Sequence, residues 1–139
     1  MKSFIKYKQQ LTPTLGTGVT NSMELDLVGR SLFGDLFGGV KTQDQDIDES
    51  KRYFVYNLDT KGMPGSHWVG VVLDEGEVIV YDSFGRNSKK ILPILSSKYD
   101  ITDTDPDPEQ VESEYNCGLN VMAWLLVYDK LGRAMAESI

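Results

Sequence analysis

The sequence predicts an α+β domain, and three observations carry that expectation. Two runs, His67 to Leu73 and Glu77 to Ser83, are joined by Asp74-Glu75-Gly76, a turn whose glycine can take positive φ, so they read as an antiparallel hairpin. Both runs are apolar on both faces, with Trp68, Ile79 and Tyr81 on one and Val69, Val71, Val78 and Val80 on the other, which suits a sheet covered on each side. The last apolar stretch, Cys117 to Leu131, has Leu119, Met122, Ala123, Leu126, Val127 and Leu131 at helical spacing, widened by Trp124 and Leu125, and reads as a buried helix. At 139 residues the chain is expected to be a single domain spanning 1–139.

The remaining elements follow in order. Residues 1–20 are polar and rich in Thr, Gly and Pro, and are expected to form an extended, loosely attached arm. Asn21 or Ser22 caps a short helix with Leu25, Val28, Leu32 and Phe33 on one side, ended by Gly34. A glycine loop, Gly38-Gly39, follows it. Asp44 to Glu49 is an acidic, solvated loop. Arg52 to Leu58 is a β-branched and aromatic strand, ended by a turn over 59–65. Lys89 to Leu95 is a helix or irregular segment broken by Pro93, and Asp100 to Pro108 is an acidic, proline-punctuated loop.

Composition narrows the function. Apolar residues make up 40% of the chain and charged ones 25%, as in ordinary globular domains. The net charge of -7 argues against a nucleic-acid sheath, leaving only a local patch at Arg86, Lys89 and Lys90. One cysteine, Cys117, makes no internal disulfide, and with one histidine, His67, it makes no four-ligand zinc site unless carboxylates or a second chain contribute, so a structural metal is not expected, nor is a cofactor. No stretch approaches the roughly 20 apolar residues of a membrane span, and a free thiol suits a reducing compartment.

The single histidine and single cysteine lie in Gly65-Ser66-His67-Trp68 and Asn116-Cys117-Gly118, contexts that suit a thiol active site. A hairpin turn at Glu75-Gly76 pairs Leu73 with Val78, Val69 with Asp82 and His67 with Phe84, which makes His67 and Asp82 diagonal neighbours about 7–8 Å apart at the backbone. A carboxylate there fixes the imidazole tautomer and stabilises the imidazolium. Cys117 at a helix start meets backbone N–H groups and the macrodipole, which favour its thiolate. Gly118 leaves room for a substrate backbone, and Gln110, seven positions before Cys117, offers an oxyanion donor through its amide. Each residue has a plainer reading: a buried cysteine as a small hydrophobe, His67 as a structural hydrogen-bonder, Asp82 as a turn cap and Trp68 as a core aromatic.

His67-Trp68, Tyr81-Asp82-Ser83-Phe84-Gly85, Gln110 and Asn116-Cys117-Gly118 together resemble the adenovirus maturation protease (adenain) and the related ubiquitin-like-protein peptidases, in which the chain order is His, Asp or Glu, Gln, Cys. The pattern is most similar to the short adenain-like cysteine proteases of virophages and Polinton-like viruses. The resemblance spans about residues 57–126, with a weaker echo over 23–37. It implies a papain-like α+β fold in which a buried helix bearing Cys117 packs on a mixed sheet bearing His67 and Asp82. It also implies Cys117 as nucleophile, His67 as general base and then acid, Asp82 as the group orienting His67, and Gln110 as oxyanion-hole donor, with Trp68 and Gly118 against the substrate. The implied activity is cleavage of capsid or other structural precursors at glycine-containing sites, in the virion and host-cell interior. The chain is much shorter than adenain, and its acidity and lone cysteine weigh against a DNA or disulfide-linked peptide activator.

Three other functions remain open at this stage: release of a ubiquitin-like modifier after Gly-Gly, acetyl transfer by the same three side chains, and a non-enzymatic binding domain. Leu36-Phe37-Gly38-Gly39-Val40 also looks like a self-cleavage site after Gly39, although a glycine loop explains it more simply.

Overall fold

The computed structural model describes residues 2–16, 21–58, 67–82, 92–104 and 117–139. Its centre is a five-stranded mixed sheet in sequential order, built from β1 (Phe37–Thr42), β2 (Tyr53–Asn57), β3 (Trp68–Asp74), β4 (Glu77–Tyr81) and β5 (Asp100–Asp103). The inner pairs β2/β3 and β3/β4 are antiparallel, and the two edge pairs, β1/β2 and β4/β5, are parallel. Helices α1 (Lys2–Leu15), α2 (Ser22–Phe33), α3 (Pro93–Lys98), α4 (Cys117–Leu131) and α5 (Arg133–Glu137), with a short 3-10 turn over Gly34–Leu36, complete the described elements. This is the α+β class expected, with the cysteine-bearing helix lying on the sheet.

The hairpin register is the anticipated one: Leu73 faces Val78 and Gly70 faces Tyr81 around a turn in which Glu75 and Gly76 both have positive φ. A two-residue turn of this hand matches the right-handed twist of its strands. The faces divide as the alternation requires. Trp68, Val72, Ile79 and Tyr81 join the core beneath α1, α2 and α4, whereas Val69, Val71, Val78 and Val80 join a second cluster closed by Ile47, Leu92 and Leu95.

The main core is threaded by aromatic rings. Phe4 of α1 meets Tyr81 edge-on at 6.1 Å, Tyr81 stacks on Trp124 of α4 at 5.3 Å, and Trp124 meets Tyr128 at 5.7 Å. Tyr128 then contacts Tyr53 of β2 at 6.4 Å, and Tyr53 contacts Phe33 of α2 at 4.7 Å. Each such pair adds about 0.5–1.5 kcal/mol beyond area burial. Helix α4 is buried from Cys117 through Tyr128, which explains why its apolar residues run almost all round.

Several expectations are corrected. Residues 2–15 are a helix rather than a loose arm: Phe4, Tyr7, Leu11 and Leu15 recur at helical spacing and pack on α4, and this burial outweighs Pro13, which lies close enough to the end to leave most of the ladder intact. Gly38-Gly39 is not a loop. It belongs to edge strand β1, with a register irregularity between Phe37 and Val40, so the suspected self-cleavage sequence is held in the sheet. Pro93 opens α3 instead of breaking a helix, since proline lacks only an N–H that the first turn does not use. The acidic segment from Asp100 begins as strand β5, paired along β4 and tied to it by a Thr102–Glu77 hydrogen bond. Asn21 does cap α2, its side chain accepting the Glu24 N–H at 2.8 Å, and Gly34 ends that helix.

Candidate active site

His67 stands immediately before β3, where its carbonyl accepts the Leu58 N–H at 2.8 Å and so continues the β2/β3 ladder by one residue. Asp82 stands immediately after β4. Extending the ladder one step past Gly70–Tyr81 sets Val69 opposite Asp82 and leaves His67 on the diagonal, as the sequence register predicts. The side chains close that diagonal: His67 Nε2 lies 2.6 Å from Asp82 Oδ1. The bond requires a proton on Nε2, so the neutral ring has Nδ1 as its acceptor. Asp82 is 5% exposed, a degree of burial that a carboxylate tolerates only with such partners.

Cys117 opens α4 and is 5% exposed. The backbone N–H groups of Trp68, the neighbour of His67, of Gly118 and of Cys117 itself favour the charged form of its sulfur, and the Asp82 carboxylate disfavours it. The start of the helix and the open end of the hairpin therefore meet at one corner. Burial pushes the Cys117 thiol up, the three N–H groups pull it down, and the Asp82 carboxylate pushes it up further, with a net rise. This corrects the expectation that the helix start alone favours the thiolate. Desolvation outweighs the N–H donors until a cation is brought beside the sulfur.

Of the other sequence-predicted residues, Gly118 is buried in the first turn of α4. The indole of Trp68, expected over the substrate's glycines, is 2% exposed and packs in the main core, and its backbone N–H favours the charged form of the Cys117 sulfur. Gln110 and Asn116 lie outside the described residues, as does the basic patch at Arg86, Lys89 and Lys90. Sequence reasoning did not single out Asn120, one turn beyond Cys117, which is fully buried with neither amide atom hydrogen-bonded among the described residues. A single asparagine within an apolar helical stripe was the available signal. Among the described residues no group of three His, Cys, Asp or Glu side chains is placed to hold a metal ion, and no helix is long and apolar enough to cross a membrane.

No family model matches the chain, and no curated protein does. Among solved structures it is similar to the SUMO protease Ulp1 with the catalytic cysteine oxidized to a sulfonic acid, at 19% identity and a TM-score of 0.40 over 96% of this chain and 65% of that one. A second similar structure is the same protease with the cysteine oxidized to a sulfenic acid, at 19% identity and a TM-score of 0.36 over 95% of this chain and 64% of that one. The chain thus spans slightly less than two thirds of the length of these neighbours.

Proposed function

We propose that this protein is a cysteine endopeptidase in which Cys117 is the nucleophile, His67 the general base and then acid, and Asp82 the group that orients His67. The observation that carries this reading is the 2.6 Å His67 Nε2–Asp82 Oδ1 contact, with Cys117 at the start of a buried helix packed on the strand that follows His67 and within the field of Asp82. With Nε2 bound to Asp82, His67 Nδ1 takes the thiol proton, and the Cys117 sulfur attacks the substrate carbonyl. The resulting oxyanion is met by the Cys117 N–H and, in this reading, by the Gln110 amide. His67 returns the proton to the leaving amine, and water then hydrolyses the thioester by the same exchange in reverse.

The substrates we assign are capsid or other structural precursors of a virus, cut at glycine-containing sites where a missing side chain lets the chain thread a narrow cleft. The resemblance in residue order supports this assignment. Incubation with co-encoded capsid precursors, followed by mass spectrometry of new termini, tests it. New termini at glycine-containing sites that vanish in Cys117→Ala are the expected result. Capture of a ubiquitin-like modifier carrying a C-terminal electrophile, without precursor cleavage, would overturn the substrate assignment in favour of modifier release, and neither cleavage nor capture would overturn the peptidase itself.

A further inference from the structure

Helix α4 crosses β3 over a glycine. A Cβ added at Gly70 would lie 2.9 Å from Trp124 Cε3, 3.2 Å from Trp124 Cζ3 and 3.3 Å from Val121 Cγ1. Separations below about 3.4 Å between carbons are repulsive, so a side chain here forces something to shift. The indole has little freedom to yield: it stacks on Tyr81, the cross-strand partner of Gly70, its Nε1–H donates to the Ala136 carbonyl at 3.0 Å, and Tyr128 packs against its edge.

The same strand and helix pack on each other toward the thiol, with Trp68 two residues before Gly70 and Cys117 four residues before Val121, and the Trp68 N–H favours the charged Cys117 sulfur. Two residues of strand advance about 6.7 Å. Four residues of helix rise about 6 Å. Cys117 beside Trp68 and Val121 beside Gly70 are therefore two matched contacts between one stretch of strand and one turn of helix. The first carries the reacting sulfur, and the second sets how closely the backbones approach.

We propose that Gly70 is a positioning residue that, by seating Trp124 and Val121 without a side chain, sets how closely the Cys117 end of α4 approaches the strand that follows His67. This rests on the peptidase reading for its kinetic consequence but not for its geometric one. A methyl group at position 70 lifts α4 from β3 and carries the sulfur away from a ring anchored through Asp82, and a displacement of about 1 Å at a reacting atom costs on the order of 100-fold in rate.

The test follows Cys117 alkylation by iodoacetamide across pH, together with glycine-peptide cleavage and thermal unfolding, in the full chain and in Gly70→Ala, Trp124→Phe and Gly70→Ala/Trp124→Phe. The expected result is a folded Gly70→Ala with a changed alkylation pH profile and a kcat lowered about 100-fold while KM holds, as displacement of the nucleophile requires. Trp124→Phe removes the overlapping ring, so the double variant should regain much of the wild-type profile. If Gly70→Ala does not fold, Trp124→Phe alone carries the test, because loosening the seat should also change the profile. A wild-type profile in every variant that folds overturns the proposal. A wild-type protein that cleaves no peptide defeats the peptidase reading instead, and the alkylation comparison still decides the role of Gly70.

Discussion

His67 and Asp82 stand one residue outside the two paired strands of a hairpin, and His67 Nε2 meets Asp82 Oδ1 at 2.6 Å. The pairing that sets their backbones on the diagonal is the same pairing that buries four valines on the far face, so a register slip would lose the contact and expose a core. Asp82→Asn keeps the size of the side chain but removes the charge that stabilises an imidazolium. Peptidase kcat is expected to fall about 10²–10⁴-fold with little change in the unfolding temperature, as measured by steady-state kinetics beside calorimetry. Retention of wild-type kcat would remove Asp82 from the mechanism.

The raised Cys117 thiol has a definite sign. Burial and Asp82 hold the thiol above the ordinary cysteine value of 9.0 in the intact protein, and an imidazolium at His67 is the cation that would bring it down, so His67→Ala is expected to move thiolate formation to higher pH. Alkylation at neutral pH should then drop about tenfold for each unit by which the titration moves up. Iodoacetamide rates between pH 6 and 10 measure this. A His67→Ala thiol that labels as fast as wild type at neutral pH would show that His67 does not activate the sulfur.

Helix α1 is structural. Phe4 is 2% exposed and meets Tyr81, the residue before Asp82, so Phe4→Ala should cost about 3–5 kcal/mol of stability. Chemical denaturation reads the loss directly. A cost below 1 kcal/mol would return these residues to the status of an attached arm.

Asn120 gives a prediction of opposite sign. A buried amide without partners costs about 1–3 kcal/mol for each unsatisfied group, so Asn120→Leu, of similar size, should be neutral or stabilising. Denaturant midpoints compare the two proteins. Marked destabilisation would mean that the amide is satisfied in solution by a group the described residues do not supply.

Alkaline pH should unfold the protein through its tyrosines. Burial and the Asp129 carboxylate push the Tyr53 phenol up to about 12 from 10.0. Tyr56 and Tyr128 are also raised, chiefly by burial. Each folded phenol keeps its proton after the unfolded one has lost it, so the stabilisation is complete below pH 10 and fades as pH rises toward 12. Phenolate absorbance followed with circular dichroism should show ionisation and unfolding together in that interval, and full ionisation in a still-folded protein would contradict the burial of these rings.

Local pattern determined the elements nearest the chemistry. Two apolar runs about Glu75-Gly76 specify the hairpin and its register, and with it the His67–Asp82 diagonal, while the apolar run from Cys117 specifies a helix of the observed length. Such signals are legible because short apolar runs flanking a turn suit a strand pair covered on both faces, and a long apolar run suits a helix buried all round. Elements that owe their form to a distant surface were not legible. Residues 2–15 look like a polar arm until Phe4 finds Tyr81, Gly38 and Gly39 have low strand propensity yet lie in β1 beside β2, and acidic Asp100–Asp103 becomes a strand only because β4 offers its edge. The state of Cys117 belongs with these. Residue type and helix position argued for an easily ionised thiol, but only folding shows how deeply the sulfur is desolvated and how near Asp82 lies, and the electrostatic free energy of an ion depends on those surroundings more than on the residues adjoining it in the chain.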